Sequence, residues 1–411
     1  MQRFRSLFKY LRAVLWFRPM LYCIGAAVAL VLAWWVDQIV PDLRIEGLSA
    51  ATIEKLLSII TSSMLAVATL AVGSMLAAYA SASSTATPRS FALVIADDGS
   101  QMALSSFIGA FIFAVMATIA LLTGAYGEGG LVALFTMTVG IFGWVIVTFL
   151  RWVDGIARLG RVGNTIDRVE AAARKALCAR RATPHLGGLP IPDDFKGREI
   201  LGTEFGYVQH LDMEALQACA RELGLRVAVM AMPGAFVAPG RVVLSVTGPE
   251  LSERDTARLL AGMQIGQDRS FEDDPRFGLV VLGEIAARAL SSAVNDPGTA
   301  VVIIGRFVRL MADWADAITP KPPSFDRIMV PALDSQDLFE DAFGPIARDG
   351  AAILEVGMRF QKAMISLAHV GFVAEARQQS ERAMRHARAA LALTEDADRL
   401  EALAETVGRV P

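Results

Sequence analysis

The sequence has few of the residues that build covalent or metal-held sites. It contains three cysteines, none of them in CxxC spacing, so we expect no disulfide framework. Its four histidines are scattered without an HExxH pattern, and no GxSxG, P-loop or GxGxxG motif occurs. The adjacent acids Asp273 and Asp274 are better explained by a solvated turn than by metal binding. We therefore predict no catalytic residues, no metal site and no cofactor.

Charge is also scarce in one part of the chain. The net charge of −3 provides no basic field, so we expect no nucleic-acid partner. Between Pro19 and Leu150 there are four stretches without a charged side chain, whereas the region after Arg151 has an ordinary globular composition. Hydrophobic residues make up 54% of the chain, and their excess is therefore concentrated near the N-terminus.

The uncharged stretches are long enough to cross a membrane, because a bilayer core requires about 20 mostly apolar residues per helix. They cover residues 19–36, 56–80, 102–125 and 131–150. The first stretch ends in Trp34-Trp35 and not in a small-residue cleavage site, so we predict a retained span rather than a signal peptide. The lipid bilayer is thus the first predicted partner.

Positive charge flanks these spans on one side only. Three arginines follow the fourth span, and the connections after the first and third spans are mainly acidic. The segment before the first span contains five basic residues: Arg3, Arg5, Lys9, Arg12 and Arg18. The positive-inside rule therefore predicts that both termini lie in the cytoplasm. No ionisable residue lies inside a span, which argues against an ion-coupled pump and leaves a passive channel open.

The second span carries small, weakly polar residues at every third or fourth position, which places them in one stripe along a helix. The stripe consists of Ser58, Ser62, Ala66, Thr69, Gly73, Ala77 and Ala80. One interpretation is close helix packing, because small residues let backbones approach and hydroxyls bond between helices. The other is the wall of a neutral permeation path.

The region after the spans mixes helices and strands. A basic helix is predicted at 151–181 and a short helix at 215–224, and the chain is predicted to be helical from Asp274 to its end. The predicted strands are 206–212, 225–230 and 241–246. Residues 233–244 resemble the half-motif of biotinyl/lipoyl-like β-barrels. Carriers of that kind modify a lysine, and none lies between Lys196 and Lys321, so the resemblance is one of shape.

The predicted fold is a four-span membrane α-helical region followed by a cytoplasmic α+β region with a small biotinyl/lipoyl-like β-domain and a helical C-terminal bundle. The domain ranges are 1–155 for the spans, 156–195 for a juxtamembrane helix and linker, 196–250 for the β-rich domain and 251–411 for the helical cytoplasmic domain.

An unusual peptide, Val-Asn-Asp-Pro-Gly-Thr-Ala-Val, occupies residues 294–301. Asp296 before Pro297 suits a helix start, because the carboxylate can cap the first turn and proline has no N–H to leave unpaired. A sharp helix–helix turn with a capped second helix is one interpretation. The other is a polar site built from Asn295, Asp296 and Thr299, to which Arg288 and Glu284 could contribute.

Three features occur together: a hydrophobic N-terminal region, Pro88-Arg89 after the second span, and the peptide 289–300 with its Asn-Asp-Pro-Gly-Thr-Ala ending. In this combination the chain resembles the bacterial predicted membrane proteins of the domain of unknown function 2254 family. The chain departs at Ser292, where the family often has proline, and at Gly298, where a larger residue is common. The resemblance implies a bacterial inner-membrane location and brings no catalytic residues with it.

Two functions fit these features about equally. The first is a homo-oligomeric channel for ions or small molecules, lined by the second span and regulated by the cytoplasmic region. The second is a membrane-anchored sensor or scaffold that binds a partner or ligand without transport. An enzyme would need a pocket with paired titratable groups, and no motif predicts one.

Overall fold

A computed structural model describes residues 17–40, 45, 47–85, 87–90, 93, 98–158, 161–316, 319 and 321–410. The chain forms two compact units, the first ending at Thr165 and the second beginning at Ile166. Arg3, Arg5, Lys9 and Arg12 lie outside the described residues, as does much of the connection after the first span.

The described part of the first unit contains four helices that are long and apolar enough to cross a membrane, as predicted. They are α1 (Phe17–Ile39), α2 (Ala50–Thr85), α3 (Asp98–Leu122) and α4 (Glu128–Arg158). The 36 residues of α2 correspond to about 54 Å at 1.5 Å per residue. Since a bilayer core is about 30 Å thick, this helix continues beyond it.

The helix α3 is the centre of the bundle and packs against the other three spans. Its residues Phe107 and Phe113 are fully buried. The Phe107 ring meets Trp152 of α4 edge-on, with 5.9 Å between ring centroids. Large buried rings on α3 therefore fill the space between helices that are otherwise rich in alanine and glycine.

A tight hairpin joins α3 to α4 and is held by the end of α1. Asp37 accepts hydrogen bonds from the backbone N–H groups of Gly127 (2.9 Å) and Gly130 (2.7 Å). The Tyr126 hydroxyl donates to the Leu30 carbonyl at 3.2 Å. A Cβ on Gly130 would lie 2.9 Å from the Tyr126 ring, so the hairpin needs glycine there. The carboxylate of Asp37 satisfies N–H groups that the start of α4 leaves unpaired.

The second unit begins within α5 (Val162–Ala182). The sequence predicted one helix over residues 151–181, but the structure ends α4 at Arg158 and starts α5 at Val162. Arg161, directly before α5, is not helical, so the predicted single helix is interrupted at least there.

Seven strands of the described residues form two sheets around one core. They are β1 (Arg198–Leu201), β2 (Gly206–Leu211), β3 (Arg226–Val229), β4 (Phe236–Val237), β5 (Val242–Thr247), β6 (Met263–Gly266) and β7 (Ile328–Met329). One sheet has the order β1-β5-β3-β7 and the other β4-β2-β6. The pairs are antiparallel except β3 with β7, in which Val227 faces Ile328. Two helices, α6 (Met213–Glu222) and α7 (Glu253–Leu260), accompany them.

The predicted strands are confirmed as β2, β3 and β5, but the sheets also contain four strands that the pattern did not predict. Both β6 and β7 lie outside the range 196–250 given for the β-domain. The strands β4 and β7 have two residues each, too few to show an alternating pattern. In addition, β7 is far along the sequence from β3, the strand with which it pairs.

The region predicted to be helical from Asp274 onward is mainly helical, but Ile328–Met329 form β7 within it. The remaining helices pack partly around a cluster of aromatic rings. They are α8 (Phe277–Ala289), α9 (Pro297–Ala315), α10 (Ser335–Asp349), α11 (Leu354–Val370), α12 (Val373–Ala390) and α13 (Thr394–Gly408). Phe343 of α10 meets Phe307 of α9 at 5.3 Å and Phe360 of α11 at 5.7 Å between centroids. All three rings are almost completely buried, so this cluster joins three helices.

Candidate functional site

One face of α2 packs into the membrane bundle. Residues on this face recur at helical spacing and are at most 6% exposed: Ile53, Leu57, Ile60, Met64, Ala71 and Met75. All of them except Met75 belong to one apolar cluster with residues of the other spans. This face therefore anchors α2 within its own chain.

The predicted small-residue stripe lies on the opposite face. Every member is exposed: Ser58, Ser62, Ala66, Thr69, Gly73, Ala77 and Ala80. A Cβ built on Gly73 meets nothing within 4 Å. At 100° per residue the centre of the stripe is about half a turn from the buried face. Packing against the chain's own spans therefore does not account for the stripe.

Large apolar side chains border the stripe on both sides. Leu65 and Val72 lie on one side and are 56% and 43% exposed, and Ile59 and Leu70 lie on the other at 55% and 62%. Because the stripe residues are much smaller, the surface is a shallow groove between two ridges. Grooves of this kind let the backbone of a second helix approach closely.

Two hydroxyl groups of the stripe donate to their own helix. Ser62 Oγ donates to the Ser58 carbonyl at 2.9 Å, and Thr69 Oγ1 donates to the Leu65 carbonyl at 2.9 Å. Each proton is thus used inside the helix, which removes the cost of an unpaired donor in the bilayer. The oxygen lone pairs stay outward, so the stripe can accept hydrogen bonds or coordinate a cation.

The second predicted site, at Asn295–Thr299, forms the corner between α8 and α9. Asp296 Oδ1 accepts from the Thr299 backbone N–H at 3.1 Å, and its Oδ2 accepts from the Thr299 hydroxyl at 2.6 Å. Pro297 is the first residue of α9. Asn295 has φ of +48°, a left-handed conformation that asparagine tolerates better than most residues. The backbone conformation and hydrogen bonds of the corner account for each of these residues, as the capped-corner interpretation predicts.

A third feature was not predicted: a groove of about 550 Å³ on the β-domain. Val243, Met263 and Ile265 provide part of its apolar floor, and Glu204 and Glu253 belong to its lining. The groove has the size of a small-molecule site. It depends on β6 and α7, which the sequence pattern did not connect with the other strands.

The adjacent acids Asp273 and Asp274 have different environments, and the predicted solvated turn is wrong for Asp274. This carboxylate is 2% exposed, pairs with Arg269 Nε at 2.7 Å and accepts the Arg276 and Phe277 backbone N–H groups at the start of α8. Burial raises its pKa, and the Arg269 hydrogen bond and charge oppose that rise. A Cβ on Gly234, whose φ is +92°, would lie 2.2 Å from Asp274 Oδ2, so the Pro233-Gly234 turn needs glycine.

Asp273 pairs with His210, and this pair is half exposed. The distance from His210 Nδ1 to Asp273 Oδ2 is 2.6 Å. The hydrogen bond to Asp273 is the main reason that the pKa of His210 is raised above 6.5. No group of three or more His, Cys, Asp or Glu side chains suited to a metal occurs among the described residues. The candidate features are thus an outward stripe in the first unit and, in the second unit, a capped corner and the groove of the β-domain.

Comparisons with known proteins place the chain among predicted membrane proteins. A family model described as "Predicted membrane protein (DUF2254)" matches residues 12–366. Uncharacterized proteins of Mycobacterium tuberculosis and Mycobacterium bovis are each 29% identical over 133 residues, which is 31% of this chain. The match spans 26% of the length of those relatives. No solved structure matches the chain.

Proposed function

The chain belongs to the DUF2254 family of predicted membrane proteins, and we propose that it is a homo-oligomeric channel lined by α2. In this proposal, copies of the chain assemble with their α2 stripes facing a common axis. The observation that carries it is the outward position of the whole stripe, opposite the face that anchors α2 in its bundle.

The chemistry of the stripe favours water, cations or small neutral solutes as permeant species. Hydroxyl protons point into the helix at Ser62 and Thr69, so oxygen lone pairs would face the path. An anion in the path would meet only hydrogen-bond acceptors, which do not stabilise a negative charge. A wall without ionisable groups suits passive flow rather than coupled transport.

The assembly is proposed to sit in the bacterial inner membrane with both termini in the cytoplasm. The support is the set of basic residues before and at the start of α1, the arginines at and after the end of α4, and the acidic hairpin side, which includes Asp37 and Glu128. The second unit would then form a cytoplasmic domain. Its β-part is proposed to have the biotinyl/lipoyl-like shape suggested by residues 233–244.

Ion flux through liposomes that contain the purified protein tests this proposal. The variants are Thr69→Trp and Gly73→Trp, because an indole on the stripe should obstruct the path. A matched control is Val31→Trp, which places the same side chain at an exposed position of α1. We expect flux with wild type and with the control, and loss of flux with both stripe variants in protein that keeps its oligomer size.

Equal flux from all four proteins would show that α2 does not line the path. Absence of flux from wild type under varied salt, pH and voltage would count against a channel. A chain that then still forms oligomers would favour the second function, a sensor or scaffold.

The groove of the β-domain is the observation that favours a sensor. Its lining combines an apolar floor with Glu204 and Glu253 and contains no basic residue, so a small amine with an apolar body would suit it. Saturation-transfer NMR with phenethylamine, and with phenylacetate as the anionic counterpart, tests this. Ala257→Trp, at the groove wall, should abolish the amine signal, and an unchanged signal would contradict this second candidate.

A further inference from the structure

The first unit contains a cavity that the proposed channel does not use. It is an open groove of about 510 Å³ between α1, α3 and α4, named here the span groove. Its lining is mainly apolar and includes Tyr22, Gly25, Ser106, Phe113, Gly140 and Trp144. All of these residues belong to membrane spans, so the groove opens at membrane depth and not toward water.

Two glycines keep the span groove open. A Cβ added to Gly25 or to Gly140 would meet nothing within 4 Å. Gly109 differs, because its Cβ would come 2.7 Å from the Tyr22 Cβ, so that glycine allows close packing of α1 and α3. A glycine inside a helix costs about 1 kcal/mol relative to alanine. No close contact within the described chain requires Gly25 or Gly140, and both widen the groove.

The walls of the groove are held in place by a polar contact. Trp144 Nε1 donates to Ser106 Oγ at 3.3 Å, which ties α4 to α3. The Trp144 side chain is still 49% exposed, as is Leu21 on the α1 side. The groove therefore offers an indole and aliphatic surface to a molecule that enters from the bilayer. Water is a poor occupant, since an apolar cavity offers it too few polar partners.

Basic side chains lie at one end of the groove on two of its helices. Arg18 precedes Tyr22 by four residues and therefore lies on the groove-lining face of α1. Arg151 follows Trp144 on the same face of α4, about two turns and about 10 Å farther along. With four spans, the start of α1 and the end of α4 are on the same side of the membrane. A phosphate is the group that arginines at a membrane surface recognise.

We propose that the span groove binds one anionic phospholipid, with an acyl chain along Gly25 and Gly140 and its phosphate at Arg18 and Arg151. The lipid belongs to the leaflet in which α1 begins and α4 ends. This site is separate from the α2 stripe and does not depend on transport.

Native mass spectrometry of the full chain tests the proposal, with phosphatidylglycerol and phosphatidylcholine as competing probes. We expect wild type to retain one phosphatidylglycerol per chain in preference to phosphatidylcholine. Gly140→Leu fills the groove and should lower this occupancy at least tenfold. The matched control is Gly143→Leu on the same helix, where a Cβ also meets open space but which is not among the lining residues. It should leave the occupancy unchanged.

The headgroup contacts are tested by Arg18→Gln combined with Arg151→Gln. This double variant should lose the preference for phosphatidylglycerol and still retain one phospholipid of either kind. Excess glycerol phosphate should not displace the lipid from wild type, because the acyl chain contributes much of the binding. Displacement would show a site for free phosphate and would overturn the lipid assignment.

A second measurement tests the proposal even if the Gly140→Leu variant fails to fold. Phosphatidylglycerol with brominated acyl chains should quench the tryptophan fluorescence of wild type more strongly than that of Trp144→Phe. Equal quenching of the two proteins, or equal lipid occupancy of wild type and a folded Gly140→Leu protein, would contradict the proposal.

Discussion

The two units of the chain satisfy their polar groups in different ways. In the first unit, hydroxyls in the middle of spans bond to the carbonyl one turn earlier in the same helix, as Thr118 does with Ala114 and Thr138 with Leu134. In the second unit, charged side chains connect different helices. Arg306 of α9 binds Glu170 and Asp167 of α5, each at 2.7 Å.

This difference follows from the solvent of each unit. A hydroxyl in a bilayer has no water to bond, so the nearest backbone acceptor satisfies it and the helix stays self-sufficient. In water, a long charged side chain can keep part of its hydration while it pairs across an interface. Span packing is therefore set by shape, and the packing of the second unit is set by shape together with charge pairs at defined positions.

The largest effect is expected at Glu170, which is 5% exposed and contacts three arginines. Glu170→Ala leaves Arg306 with Asp167 as its partner in a partly buried seam. The free energy of unfolding of the second unit should fall by about 3 kcal/mol, the low end for a broken buried pair. Urea unfolding of the full chain in nanodiscs measures this.

The matched control for Glu170 is Glu381→Ala, at an exposed helical position of α12. Its effect should stay within about 0.5 kcal/mol. Equal effects of the two substitutions would mean that the charge seam between α5 and α9 does not stabilise this unit.

A smaller effect is expected at Asp37, where a side chain of the first unit does connect different helices. Asp37→Ala removes the acceptor of two N–H groups at the hairpin, and the loss should be about 1.5 kcal/mol, as for helix caps. Amide hydrogen exchange of Gly127 and Gly130 measures it. Asp37→Asn keeps one acceptor oxygen and should lose less. Unchanged exchange in Asp37→Ala would show that the hairpin holds its conformation without α1.

The corner at Asp296 tests the same capping chemistry in the second unit. Asp296→Ala should destabilise the first turn of α9 by about 1 kcal/mol, and Asp296→Ser, which can still cap, by a few tenths. Hydrogen exchange at Thr299 and Ala300 measures the change. A protein that loses flux or ligand binding while its exchange stays unchanged would favour the polar-site interpretation of Asn295, Asp296 and Thr299.

The smallest effect concerns pH and the half-exposed pair of His210 and Asp273. Because the pKa of His210 is raised in the folded chain, its protonated form stabilises the fold. That stabilisation is fully present below the unfolded value of about 6.5 and is lost as the pH rises through the folded value. Solvent screening limits it to a few tenths of a kcal/mol. The stability of wild type should therefore fall more between pH 6 and 8 than that of His210→Gln. Parallel pH profiles would contradict this.

Much of the first unit could be predicted from the sequence, because spans are long and their uncharged runs are unmistakable. The positions of β2, β3 and β5 were predictable from local patterns, and the cap at Asp296 from one dipeptide. The position of β7 was not predictable from the sequence. Its two residues form a strand only because the folded chain places them beside Val227. The burial of Asp274 was not predictable either, because its arginine partner and the Gly234 turn meet it only in the folded unit.

The sequence by itself determined the four spans, the small-residue stripe and the capped corner, since each depends on residues close together along one helix or turn. Only the tertiary structure decided which face of α2 is buried, that Gly25 and Gly140 line one groove, and that α7 and β6 form another. The physical reason is that periodicity defines the faces of a helix, whereas the partner of each face depends on how distant segments fill space together.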